Sequence, residues 1–111
     1  MKRYRAITRY VRISPRKARL AAGLIRGLSV EKAELQLQYC GLRAGPLLKK
    51  TLRSAVANAE TQGEMRREDL VVLEVRVDEG PRMKRIKPCR RGSSHPFMKR
   101  MSHFTIVVSE R

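Results

Sequence analysis

The chain has 111 residues and carries 26 Lys and Arg against 10 Asp and Glu, a net charge of +16. Hydrophobic residues make up 41%, too many for a wholly disordered chain, yet no apolar run approaches the ~20 residues of a membrane-spanning helix. The length suits one domain over 1–111 with one small core, and so large an excess of one sign repels itself unless a polyanion, nucleic acid first of all, neutralises it.

Residues 3–13 read as a strand. Ile7, Val11 and Ile13 share one parity, and Tyr4, Ala6, Thr8 and Tyr10 share the other, so the first set is expected to face the core. Ser14-Pro15 is a helix start, Ser14 offering its hydroxyl to free amides and Pro15 fitting the first turn. Ala18, Ala21, Ala22 and Ile25 make one apolar face of that helix, with Gly27 as its stop. A second helix is expected from Ser29, with Glu31 in its first turn, a stripe of Val30, Ala33 and Leu37, and Gly41 as its stop. A third runs from about Pro46 to Gln62-Gly63, with Leu48, Leu52, Ala55, Val56 and Ala59 along one side. Val71, Leu73, Val75 and Val77 then alternate with Glu74, Arg76 and Asp78, which predicts a half-buried strand. Residues 102–109 are its expected partner, with Phe104, Ile106 and Val108 on one face.

Residues 80–101 lie between these strands and hold eight bases, three prolines and no acid. A structureless loop of that length is uncommon inside a domain. Gly92 near its midpoint suits a hairpin tip. Two extended limbs of about nine residues would reach ~30 Å from the domain and be ordered against a partner.

Charge is distributed in blocks. Residues 1–30 hold nine bases and no acid, 31–79 hold eight bases and nine acids, and 80–109 hold eight bases and no acid. The two acid-free blocks mark Arg12, Arg16, Lys17, Arg19 and Arg26 around the first helix, and Arg82, Lys84, Arg85, Lys87, Arg90, Arg91, Lys99 and Arg100 in the arm, as the residues expected to bind nucleic-acid phosphates. Lys2, Arg3, Arg5, Lys49, Lys50 and Arg53 are weaker members of the same set. Five aromatics and no Trp disfavour a single-strand stacking platform and favour shape and backbone recognition of structured RNA or of a duplex.

The competing readings are thin. An acid-poor, Arg-rich start also fits an organelle transit segment, but the capped helix runs straight on from it, and no apolar stretch follows as a secretory signal demands. Cys40 and Cys89 fit no disulfide framework and read as free thiols of a reducing compartment. With His95 and His103 they fit no zinc spacing, so no metal and no cofactor is expected. No phosphate loop, HExxH or GxSxG is present, which argues against an enzyme. A nonspecific nucleic-acid condensing protein, or a cationic protein on anionic membranes, would use the charge but explain neither its two blocks nor the arm, and the second lacks an amphipathic helix with bulky anchors.

Five short runs stand in one order: Tyr10-Val11-Arg12-Ile13-Ser14-Pro15-Arg16-Lys17-Ala18-Arg19-Leu20, Leu24-Ile25-Arg26-Gly27, Ser54-Ala55-Val56-Ala57-Asn58-Ala59-Glu60, Val77-Asp78-Glu79-Gly80-Pro81 and Lys99-Arg100-Met101-Ser102-His103. In these the chain closely resembles the family of large-subunit ribosomal protein twenty-two, of bacterial or organellar type, over nearly its whole length. The resemblance implies an α+β fold, three helices on a three-stranded antiparallel sheet with a long protruding β-hairpin. It implies a structural role in the cytoplasmic ribosome: binding 23S-type rRNA and neighbouring ribosomal proteins, helping assembly, and lining the nascent-peptide exit tunnel, away from any membrane. Its tunnel-lining tip would be Pro88, Cys89, Arg90, Arg91, Gly92 and Ser93, with Arg91 facing the constriction. The family usually reads Pro-Arg-Ala-basic-Gly-Arg-Ala at the tip, whereas here Cys89 and Ser93 stand for arginines and Arg90 for an alanine.

Overall fold

The computed structural model describes residues 2–88, 92 and 94–110, the side chains of 85–88 and 94–97 excepted. In chain order the elements are β1 (Arg3–Val11), α1 (Pro15–Ile25), α2 (Val30–Tyr39), α3 (Ala44–Gly63), β2 (Leu70–Glu79), β3 (Met83–Pro88), β4 (Ser94–Lys99) and β5 (Ser102–Glu110). A 3-10 turn at Arg67–Asp69 leads into β2. The α+β class expected from the resemblance is found: three helices, and an antiparallel sheet ordered β1-β5-β2 with β5 in the centre.

The helical stripes are where the sequence puts them. Ala18, Ala21, Ala22 and Ile25 of α1, Val30, Ala33 and Leu37 of α2, and Leu48, Leu52, Ala55, Val56 and Ala59 of α3 are all buried in one contiguous core with Phe104, Ile106 and Val108 of β5. Small residues on α1 and α3 let the helices lie close to the sheet. Gly27 and Gly41 follow the ends of α1 and α2 with φ of +79° and +72°, the left-handed stop glycine supplies most readily. At the end of α3 that conformation falls on Glu64 (φ 52°) rather than on Gly63. Gly63 serves close packing instead: a Cβ there would lie 2.6 Å from Tyr4 Cζ. Ser14 has the extended backbone of a cap but makes no side-chain bond to the helix amides, contrary to the sequence expectation.

Two strand parities also differ from the sequence reading. In β1 the inner face is the even one. Ala6 is buried, Thr8 and Thr51 share a hydroxyl hydrogen bond of 2.8 Å, and Ile7 is 43% exposed. Arg3, Arg5 and Arg9 share Ile7's parity and turn it to solvent, while Ala6 and Thr8 are small enough for α3 to approach. A bulge after Thr8 then resets the register, leaving Val11 half-buried and Ile13 buried beyond the strand end. Tyr10 within that irregularity has φ 59°, a conformation that costs a non-glycine residue about 1–3 kcal/mol. Its N–H donates to His103 Nδ1 at 3.1 Å, and the two rings meet edge-on at 5.0 Å. In β2 the register slips between Val72 and Glu74. The slip inverts the first half of the strand, so Val72 is buried and Leu73 is 41% exposed, while Val75 and Val77 face inward as expected.

The segment 80–101 forms the expected hairpin. β3 and β4 pair over six positions from Met83 with Lys99 to Pro88 with Ser94. The paired length is about 20 Å, shorter than the ~30 Å of two fully extended limbs. Gly92 has φ +74°. The Gly80 N–H donates to the Met101 carbonyl at 2.8 Å and closes the root. The molecule measures 62 × 25 × 16 Å with a radius of gyration of 17.0 Å, against about 13 Å for a compact chain of this length.

Candidate nucleic-acid interface

The two acid-free blocks are far apart in sequence and meet at the root of the arm. β1 ends, the chain turns at Ile13, and α1 begins. Ile13 is buried, and its carbonyl accepts a 2.7 Å hydrogen bond from the Ser102 hydroxyl at the start of β5. This bond fixes the start of α1 against the strand that carries the returning limb of the arm. The result is a cleft of about 440 Å3 lined by Arg12, Ile13, Ser14, Lys17, Arg43, Met98, Lys99 and Arg100. Five of the eight are cations and none is a carboxylate. The positive end of the α1 dipole adds to the same field, since its first turn holds no acid. Positive charge held in a concave surface attracts a phosphate backbone more strongly than the same charge spread over a convex one.

Arg12, Lys17, Lys99 and Arg100, two from each acid-free block, thus line one cleft, a convergence that the charge blocks alone do not give. Arg43 is the member that sequence reasoning missed. It lies in the charge-balanced middle of the chain, at the N-cap of α3, and only the α2–α3 corner brings it to the cleft. Its one local signal is its place just after the Gly41 stop.

Arg16 is exposed on α1. Arg19 and Arg26, also exposed, have a second task. β2 is an edge strand, and its outward carbonyls have no strand partner. Arg26 donates from Nε and Nη2 to the Val75 carbonyl at 3.2 and 2.8 Å, and Arg19 Nε donates to the Val77 carbonyl at 3.2 Å. Further up the same edge, the Gly27 N–H donates to the Val72 carbonyl at 3.0 Å and the Val72 N–H to the Leu28 carbonyl at 2.9 Å. The two arginines and residues 27–28 therefore cover the edge of the sheet and dock α1 along it.

In the arm, Arg82 pairs with Glu79 at 2.6 Å, and Lys84 is exposed. The backbones of Arg85, Lys87 and Pro88 belong to β3, but their side chains lie outside the described residues, as do Cys89, Arg90, Arg91 and Ser93 altogether. Of the tip only Gly92 is described in full. Among the weaker members, Lys49 donates to Gln38 Oε1 at 3.3 Å, Arg3, Arg5, Lys50 and Arg53 are exposed, and Lys2 shares a hollow with Glu64, Asp69 and Glu110. Two further acids are paired away from the cleft: Glu34 with Arg67, and Glu74 with Arg76 at 2.9 Å.

Among the described residues no three His, Cys, Asp or Glu side chains are placed to hold a metal ion, and no helix is long and apolar enough to cross a membrane. Cys89 and His95, two of the four side chains weighed as zinc ligands, fall outside the description. Cys40 donates to the Leu37 carbonyl at 3.4 Å.

Residues 6–109 match the model of a family described as ribosomal protein L22p/L17e. The chain is 70% identical over 105 residues, 95% of either sequence, to the large ribosomal subunit protein uL22 of Protochlamydia amoebophila. It is 54% identical over 108 residues to the uL22 of Chlamydia trachomatis serovar L2 and 56% identical over 108 residues to that of Chlamydia pneumoniae, covering 97% of each chain in both cases.

Proposed function

The chain belongs to the ribosomal protein L22p/L17e family, and from that premise we propose how it grips RNA: by the cleft at the root of the arm and by the arm itself. It is a structural constituent of the large ribosomal subunit, not an enzyme, and its partners are rRNA and ribosomal proteins. Arg12, Lys17, Arg43, Lys99 and Arg100 hold phosphates where strands of RNA pass the arm root. Arg16 extends that surface along α1, and Arg19 and Arg26 add to it only the donors left over from covering the sheet edge. Arg82, Lys84, Arg85, Lys87, Arg90 and Arg91 continue the contact along the arm. The tip, 88–93, faces the exit tunnel and the nascent peptide.

The observation that carries this reading is the convergence of five cations without a carboxylate at the base of a projecting two-stranded arm. A ribbon of this kind has no core of its own, and it is stabilised by whatever surrounds it. RNA provides both the anion and the walls.

The test is assembly. Large subunits are reconstituted with the parent chain or with a variant in which residues 84–98 are replaced by an Asn-Gly turn. The variant keeps the melting transition of the parent chain and still co-sediments with large subunits, but its subunits differ in sensitivity to drugs that bind in the tunnel and in the stalling of nascent chains. Recovery of the parent chain only in free pools or with DNA would refute the RNA assignment. Unchanged drug sensitivity and stalling would refute the tunnel assignment of the tip.

A further inference from the structure

Beside the cationic cleft lies a second hollow of about 400 Å3, lined by Ile13, Ser14, Lys17, Leu20, Leu42, Arg43 and Ala44. The two share Ile13, Ser14, Lys17 and Arg43, so they form one continuous depression with a charged half and an apolar half. Leu20 and Leu42, from α1 and the α2–α3 corner, are 64% and 36% exposed. Scattered surface leucines need no explanation. Two that line one hollow, directly beside a cleft lined by five cations, do.

We propose that this depression holds a single unpaired RNA nucleotide, its base in the Leu20–Leu42 half and its flanking phosphates in the Arg12–Lys17–Arg100 half. The proposal rests on the RNA-binding reading above and adds a particular mode to it. A nucleotide is the unit of RNA that combines a flat apolar face with an adjacent anion. The volume is at the lower end of the range for small-molecule sites, about 300–1,000 Å3, and suits one base with its ribose. A base inside a duplex is stacked on both faces and cannot enter, so the occupant is extruded from a loop, bulge or junction, the form in which proteins read RNA bases. Leu20 and Leu42 supply the apolar contact, and the Arg43 guanidinium can lie flat on a base or bridge two oxygens.

The lining also sets a preference among bases. Its polar side chains are Ser14, Lys17 and Arg43; two are donors only and Ser14 can do either. On the edge that faces the major groove of a duplex, guanine offers only acceptors (O6 and N7) and uracil its O4, so these two match the donors of the lining better than adenine or cytosine, which present an amino group there. An apolar, acidic protein segment would match the same surface, but it would have to displace the RNA that the shared cations hold.

The test uses large subunits assembled with the parent chain, with Leu20→Trp, which fills the slot, or with Leu20→Ala, which removes its wall. Unpaired guanines and uracils are probed with kethoxal and carbodiimide. One guanine or uracil is expected to be protected in parent subunits and severalfold more reactive in Leu20→Trp subunits, with an intermediate reactivity in Leu20→Ala subunits. Protections along the arm stay the same in all three. Since Leu20 is mostly exposed, both variants should melt with the parent chain; if Leu20→Trp is kept out of subunits, Leu20→Ala carries the comparison. Identical base reactivity with all three chains overturns the proposal, whether the slot is empty or filled by a neighbouring protein. Failure of the parent chain itself to enter subunits would instead overturn the RNA-binding reading.

Discussion

Replacing Arg26 by Ala separates the two tasks that a basic residue can have in this molecule. Arg26 gives two N–H groups to one acceptor, the Val75 carbonyl, at 3.2 and 2.8 Å. Hydrogen bonds from a charged donor contribute about 1.5–3 kcal/mol when well shielded. Arg26 is exposed and both bonds share one oxygen, so the contribution falls to the bottom of that range or just under it, about 1–2 kcal/mol. For a domain near 100 residues each kcal/mol shifts the midpoint by about 4–8 °C. Arg26→Ala should therefore lower the melting temperature of the free chain by about 5–10 °C, followed by circular dichroism. Arg26→Lys should recover only part of this loss, because one ammonium cannot reproduce the fork. RNA binding is then measured by filter retention over a salt series, with a large-subunit rRNA fragment. Loss of one phosphate contact reduces the magnitude of the log–log salt slope by about 1. Arg26→Ala should reduce the slope by well under 1, whereas Arg100→Ala in the cleft should reduce it by about 1 and leave the melt unchanged. If Arg26→Ala melted with the parent chain and lost a unit of slope, the edge-covering role would be wrong and the residue would belong to the interface.

For the parent chain, contacts to ten phosphates would give a salt slope of about −7 to −9; a flat response in the same filter assay would remove the electrostatic basis of the interface. The bulge in β2 makes Val72→Ala costly, about 2 kcal/mol in urea unfolding, and Leu73→Thr nearly neutral, within about 0.5 kcal/mol; the reverse order would place the register slip elsewhere. Glu64→Gly should raise stability by about 1 kcal/mol, because Glu64 holds the left-handed cap of α3 at φ 52°; an unchanged or lower midpoint would show that the Glu64 side chain compensates that strain.

The three helices were legible because their stripes follow a 3.6-residue period that nothing interrupts, and every position so chosen is buried. The strands were less legible because a period of two is inverted by one extra residue. The bulge at Leu73 does this to half of β2. In β1 the apolar side chain of Ile7 is outvoted by Arg3, Arg5 and Arg9, which share its parity. The hairpin could be read from its prolines, bases and central Gly92, since a long acid-free stretch between two strands has few other forms. Four of the five cleft cations were visible in the acid-free blocks. Arg43 was not, because its neighbours in sequence are balanced by acids and its place depends on the corner between α2 and α3. Nor could sequence show that Arg19 and Arg26 cover an edge: that depends on β2 being the outer strand, which is a property of the sheet.

The same placement explains why an excess of sixteen charges is compatible with a small fold. The ion pairs of Glu34 with Arg67, Glu74 with Arg76 and Glu79 with Arg82 lie outside the cleft, and the two most exposed of them contribute little. Nothing in the lining of the cleft offsets the repulsion among Arg12, Lys17, Arg43, Lys99 and Arg100. What holds those residues together is neutral: the buried Ile13, the Ser102 bond to its carbonyl, and the Gly80 bond to Met101 at the root of the arm. A polyanion in the cleft relieves the repulsion without disturbing any of these bonds, so it binds the folded arrangement in preference to the unfolded chain and stabilises it by mass action. RNA binding and the setting of the arm are then one event. The cations that grip the phosphate come from the domain (Arg12, Lys17 and Arg43) and from the returning limb of the arm (Lys99 and Arg100), and gripping it fixes the direction in which the arm leaves the domain.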